Sequence, residues 1–425
     1  MKESFLHFIW KNKLFNSDTL STAKGEVLHI IHPGFHNTDS GPDFFDAKIK
    51  IGDITWAGNV EIHSKSSDWY VHGHEKDPAY DNVILHVVEQ DDLPVYNSNN
   101  HQIPTFVLGK YLDKKCLKNF NNLIKNKSIL RCQNKLKSVD PLVIINYKYK
   151  LFFERLEKKN AIITQMLLRT RNDWDSVLYI TLLKYFGGTV NKEAFEQLAN
   201  LLPYKIFKKY TDDAFKLEAL LFGVGGLLNE NKPGNPRYCQ LRKEYRFLKA
   251  KHQLSELKSN TVRFHRLRPI SFPTIKLAQF AILYHKKDFL FEKLMKLEHP
   301  EEAYELFQIT TDEYWDTHYN FDKLTKTKKK TIGKDFIDRI LINVVVPLKF
   351  AHQKHLGVSD SEKIVEFIEQ IKPEKNRIVD IFHKIKLHSL NALDTQAIIQ
   401  LNENYCKPER CLQCEFGQYI IKNSL

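Results

Sequence analysis

The chain has 425 residues, 42% of them hydrophobic and 27% charged, with a formal net charge of +13. That length and balance exclude a disordered or collagen-like chain and leave room for two or three domains with real cores. Six cysteines are too few for a disulfide framework, so a reducing cytoplasm is the expected setting.

At the start, Glu3, His7 and Lys11 break up "MKESFLHFIWKNKLF", which therefore lacks the apolar run of an export signal. The first ~110 residues read as strands between turns. Alternating or β-branched runs occupy 26–34, 44–51, 55–63 and 82–90, with one more over 103–112. Residues 113–139, rich in Lys and Asn, read as a linker. From Asp140 the period turns helical: in "KLFFERLEKKNAIITQMLL", Phe152, Leu156, Ile163 and Leu167 recur at helix spacing. Amphipathic stretches continue to "EKIVEFIEQI". The most apolar of them, Ile340–Leu348, is nine residues long, too short to cross a bilayer, and no membrane partner is expected. The expected organisation is α+β: an α/β domain over 1–112, a linker over 113–139, and a larger all-α domain over 140–425.

Charge divides unevenly between these parts. Residues 1–139 hold 17 Lys/Arg against 16 Asp/Glu, whereas 140–425 hold 47 against 35. A basic second half suits a polyanionic partner, or else is a solvated lysine-rich surface.

In "GPDFFDAKIKIGDITWAGNVEIH", residues 41–63, two strand-like runs flank a turn at Gly52-Asp53. That turn sets Asp43 beside Glu61 or one residue off it. Two carboxylates about 5 Å apart repel unless a cation neutralises them, and a divalent ion does so well. Asn59, Glu61, His63 and Lys65 share one face of the second strand. This hairpin resembles the core of the PD-(D/E)xK nuclease superfamily, with Pro42-Asp43 as the first element and Glu61-Ile62-His63 as the second. A histidine replaces the usual lysine, and Lys65 lies one pleat on. The resemblance implies a restriction-endonuclease-like fold with a mixed central sheet. It also implies Asp43 and Glu61 as ligands of Mg²⁺ or Mn²⁺, with His63 or Lys65 positioning the attacking water or stabilising developing charge. The null alternative is a turn-capping Asp43 and a surface pair at Glu61.

"GPDFFDAKI", "WAGNVEIH", "SSDWYVHGH", "YDNVILHVV" and "YCKPERCLQC" together resemble an uncharacterised bacterial domain-of-unknown-function family (2851 in that series), over nearly the whole chain. That resemblance implies that the motifs belong together and carries no activity with it.

His63, His72, His74 and His86 fall within 24 residues. Three neutral imidazoles with Glu61 would suit a catalytic zinc site, although the spacing matches no standard zinc motif. The expectation is a core role for His86 and a substrate- or phosphate-facing role for His72 and His74. Further on, Arg263, Arg266 and Arg268 either grip phosphates or pair with acidic residues. Cys406, Cys411 and Cys414 crowd a polar tail, poor core material, and Cys132 is the natural fourth ligand for zinc or an iron–sulfur cluster; Cys116, Cys239 or a histidine are alternatives.

The leading expectation is a metal-dependent nuclease acting on nucleic acid, DNA ahead of RNA. A catalytically degenerate nucleic-acid-binding scaffold is the first alternative, and a zinc hydrolase built on the His63–His86 cluster is the second.

Overall fold

A computed structural model describes residues 2–16, 19–229, 234–321, 323–358 and 360–423. The chain forms two compact units. The first comprises residues 1–147, 384–387 and 401–425, and the second comprises 148–383 and 388–400. This division differs from the expected one at both ends of the first domain. The supposed linker is part of the first unit, and so is the cysteine-bearing tail that was expected in the helical domain.

The first unit is built on a mixed six-stranded sheet. Its strands are β1 (Leu28–His32), β2 (Phe35–His36), β3 (Phe44–Ile51), β4 (Ile54–Lys65), β5 (Val83–Gln90) and β6 (Thr105–Val107). They run in the order β1-β3-β4-β5-β6, with β2 also paired to β3. β1, β3 and β4 are antiparallel neighbours, whereas β4–β5 and β5–β6 are parallel. β5 reads V-I-L-H-V-V and is buried over all six of those residues, as befits a strand with neighbours on both edges.

The β3–β4 hairpin pairs Ile51 with Ile54 and keeps that register back to Ala47 opposite Gly58. A bulge then intervenes at Asp46, which adopts a left-handed φ of 54°, and Phe44 faces Val60. The one-residue slip brings Asp43 alongside Glu61.

Helix α1 (Glu3–Lys11) buries Phe5, Leu6, Phe8, Ile9 and Trp10, leaving Glu3 and His7 on its other side. Helix α3 (Lys114–Lys125), which follows the short α2 (Asp68–Val71), explains why the linker is no linker. Its Cys116, Phe120 and Leu123 are buried, and Phe120 stacks on Phe5 with ring centroids 4.0 Å apart. Polar residues at the other helical positions made the segment look like loop. The last helix, Glu415–Asn423, packs beside α3: Ile421 joins the same core and its carbonyl accepts a hydrogen bond from Asn119 Nδ2 at 3.2 Å.

The second unit is helical, with one large core that includes Phe186, Phe195, Leu220, Phe280 and Val345. Inside it lies a buried charge. Glu218 is 1% exposed and accepts hydrogen bonds from Arg237 Nη2 at 2.8 Å and Trp315 Nε1 at 3.0 Å. Among the described residues no helix is long and apolar enough to cross a membrane.

Candidate metal centre

β4 supplies Glu61 and His63, two residues apart and therefore on one face. β5 lies parallel beside it and sets His86 in register with Glu61. The crossover between the two strands supplies the remaining histidines. α2 ends at His72, Gly73 turns the chain with φ 75° and ψ 23°, and His74 starts a 3-10 turn. Glycine adopts this left-handed conformation without strain, so "HGH" can aim both rings at one point.

The donor atoms converge. His63 Nε2 lies 3.1 Å from His72 Nδ1 and 3.5 Å from Glu61 Oε1, and His74 Nε2 lies 3.3 Å from the same oxygen. His63, His72 and His74 each offer a nitrogen within 4.8 Å of the others. Ligands about 2.0–2.1 Å from one tetrahedral ion stand about 3.3 Å apart, and the His63–His72, His63–Glu61 and His74–Glu61 pairs are close to that spacing. His74 Nε2 is buried and faces the Glu61 carboxylate.

The surroundings hold these groups in place. His63 Nδ1 is 2.9 Å from His86 Nε2, both rings being almost fully buried. With His63 Nδ1 as the donor, its Nε2 lone pair faces the cluster, the arrangement by which an outer partner fixes a ligand's tautomer. Trp69 lies edge-on to both His74 and His86, with centroids 5.3 Å away, and Tyr80 stacks on His74 at 3.8 Å. His72 is exposed and forms the open side of the centre.

Burial, reinforced by His72, His74 and His7, pushes His63 from its ordinary 6.5 down to about 3. His86 is lowered for the same reason, burial first and then His63 and His74. Both rings are therefore neutral at pH 7. Burial raises Glu61, against the opposing pull of His74 and the Asp43 amide. For the depressed histidines the unfolded chain binds protons more readily. Their contribution to stability is therefore present above about pH 6.5 and is lost as the pH falls toward about 3. Metal-free protein should accordingly lose resistance to urea across that window, read from tryptophan fluorescence, and a His63→Gln/His86→Gln double variant should show a flatter pH profile.

The two acids of the hairpin are joined through the backbone. Asp43 N–H donates to Glu61 Oε2 at 2.9 Å, and Ile62 N–H donates to Asp43 Oδ2 at 3.0 Å. Asp43 instead belongs to a second donor group with Glu3 and His7 of α1, His7 Nε2 lying 3.2 Å from Asp43 Oδ2 and 3.8 Å from Glu3 Oε1. Burial alone would lower His7, but Asp43, with Glu3 and Glu61, outweighs it and raises the ring above its usual value. Sequence reasoning passed over Glu3 and His7, although an acid and a histidine four apart opposite an apolar stripe were visible in "ESFLHFIW".

His72 and His74, expected to face substrate, lie within the donor cluster, and His86, expected to be a core residue, is fully buried and hydrogen-bonded to His63. Lys65 is exposed at the end of β4, with its N–H on Asp68 Oδ2 at 2.9 Å. Arg263, Arg266 and Arg268 are exposed in an irregular segment of the second unit. Cys132, Cys406, Cys411 and Cys414 line one cavity of the first unit, while Cys116 is core and Cys239 is exposed in the second unit.

The family described as "Protein of unknown function (DUF2851)" matches residues 3–377, which leaves the cysteine-rich tail outside the match. No curated protein and no solved structure matches the chain.

Proposed function

The chain belongs to that family of unknown function, and we propose that it is a metal-dependent hydrolase that cleaves phosphodiester bonds in nucleic acid, its ion held by His63, His72, His74 and Glu61. The observation that carries this reading is the meeting of three imidazole nitrogens within 4.8 Å of one another, with Glu61 Oε1 3.5 Å from His63 Nε2 and 3.3 Å from His74 Nε2. Nitrogen-rich donors favour Zn²⁺ over Mn²⁺ and Mg²⁺, which prefer oxygen and water. His72 on the open side would be the ligand that shares its position with water or a phosphate oxygen. An ion held by these residues would supply polarisation of the phosphoryl group and a more acidic bound water. His7, favoured in its charged form by Asp43 and Glu3, would be the group that protonates the leaving oxygen.

Nucleic acid as substrate is supported by the basic second half of the sequence, 47 Lys/Arg against 35 Asp/Glu. The sheet also supports it: an antiparallel hairpin carries the acids and a parallel strand follows, the plan expected of a PD-(D/E)xK-like core.

The test is incubation of purified protein with single- and double-stranded DNA and RNA in Zn²⁺, Mn²⁺ or Mg²⁺. Turnover with Zn²⁺ or Mn²⁺ that disappears in His74→Ala is expected. Cleavage left intact by both His74→Ala and Glu61→Ala rules the reading out, and salt-dependent binding without turnover points to the scaffold alternative.

A further inference from the structure

The tail beyond residue 400 brings a second set of soft ligands to the first unit. A π-helical turn, Asn402–Cys406, ends at the first cysteine of the tail. Glu409 then takes a left-handed φ of 59° and the chain turns back through Cys411 and Cys414. Gly417 packs so closely under the Cys411 carbonyl that a Cβ there would collide with it. From the other side, the turn after α3 presents Cys132, whose carbonyl accepts from the Lys135 and Leu136 amides. An ion pair between Arg131 Nη2 and Glu409 Oε2 at 2.5 Å fastens the two turns together. All four cysteines line a cavity of about 460 Å³, with Lys125, Lys127 and Arg131 also in its wall.

We propose that Cys132, Cys406, Cys411 and Cys414 ligate an iron–sulfur cluster in this cavity. Separation of the sulfurs argues against a single zinc ion. Four thiolates about 2.3 Å from one ion stand about 3.8 Å apart. Among the described residues the donor sets within 4.8 Å of one another are His63–His72–His74 and Glu3–His7–Asp43, and no cysteine belongs to either. The thiols are nonetheless electrostatic neighbours, Cys406 facing Cys414, Cys132 and Cys411. Sulfurs that surround a cavity without meeting at a point fit a body larger than one ion. The spacing Cys-x4-Cys-x2-Cys with one distant cysteine is also that of plant-type two-iron ferredoxin ligands, here with the distant ligand upstream.

On ligation each thiol releases its proton and its sulfur forms one Fe–S bond, with no change in the oxidation state of iron. The bound assembly is anionic, which Lys125, Lys127 and Arg131 offset. Tyr147 completes the surroundings. Its buried hydroxyl has no hydrogen-bond partner and interacts electrostatically with the Cys414 thiol, so its proton is free for a thiolate formed there. Hydrogen bonds to cluster sulfurs set the reduction potential.

The experiment is anaerobic purification of the full chain, with iron, acid-labile sulfide and zinc measured together. Brown protein with iron and sulfide in equal amounts is expected, two or four of each per chain, retained in His74→Ala and Cys239→Ser and lost in Cys411→Ser. Retention in His74→Ala separates this site from the proposed hydrolytic centre, so either reading can fail alone. Should Cys411→Ser not fold, Tyr147→Phe gives the second measurement: iron retained at wild-type level, with a more negative reduction potential. One zinc without sulfide overturns the proposal. So does protein that takes up neither iron nor sulfide when both are supplied without oxygen, or a potential unmoved by Tyr147→Phe.

Discussion

Metal affinity should fall in steps that follow the geometry of the centre. His63→Ala and His74→Ala are expected to abolish stoichiometric Zn²⁺ binding, because each removes a buried donor that points at Glu61 Oε1. His86→Phe should leave binding detectable but weaker by about 10–100-fold, the usual cost of losing the outer partner that holds a ligand in its tautomer. Lys65→Ala should change nothing, since its side chain is exposed at the strand's end. Titration with a competing chelator measures the series. Equal losses in His86→Phe and His74→Ala would mean that His86 is itself a ligand, and full binding in both would remove the centre.

A second large effect is expected from the buried charge of the second unit. Arg237→Ala should destabilise the helical unit by about 3–5 kcal/mol, the cost of leaving a buried carboxylate without its partner. Glu218 is 1% exposed, and Arg237 is its only cationic contact among the described residues; Trp315 donates one neutral hydrogen bond. The guanidinium also lies over the rings of Phe215 and Tyr314, at 4.8 and 5.9 Å, so some loss of packing is included. Burial already raises Glu218 above the usual carboxylate range. A raised folded-state pKa means that the penalty is felt as the pH rises through it and is relieved as the pH falls. The deficit of Arg237→Ala should therefore shrink in acid, and Glu218→Gln/Arg237→Met should recover most of it. Urea unfolding across pH measures this, and a deficit independent of pH would assign the effect to packing alone.

The hairpin was legible because strand alternation and a Gly-Asp turn are local signals. Gly52-Asp53 places the turn, and the pairing from Ile51–Ile54 back to Ala47–Gly58 follows from it. The bulge at Asp46 was not legible, since nothing in "FFDAKIK" marks an aspartate that adopts a left-handed φ. α3 escaped notice because only its buried side is apolar, and its partner, Ile421, lies some three hundred residues away. The histidines were visible as a cluster in sequence, but their meeting with Glu61 depends on β5 lying parallel beside β4 and on the reversal at Gly73. Glu3 and His7 were missed because their partner, Asp43, reaches α1 only through tertiary packing.

The return of residues 401–423 to the first unit bears on how the protein is made. Domains emerging from the ribosome generally fold as units, the earliest first. Here the opening 147 residues leave the exit tunnel without Ile421, which closes their core, and without three of the four tail-cavity cysteines. The earliest residues synthesised thus belong to the unit completed last. During that wait the α3 surface that Ile421 will cover stays exposed, a natural target for a chaperone that shields apolar surface on nascent chains.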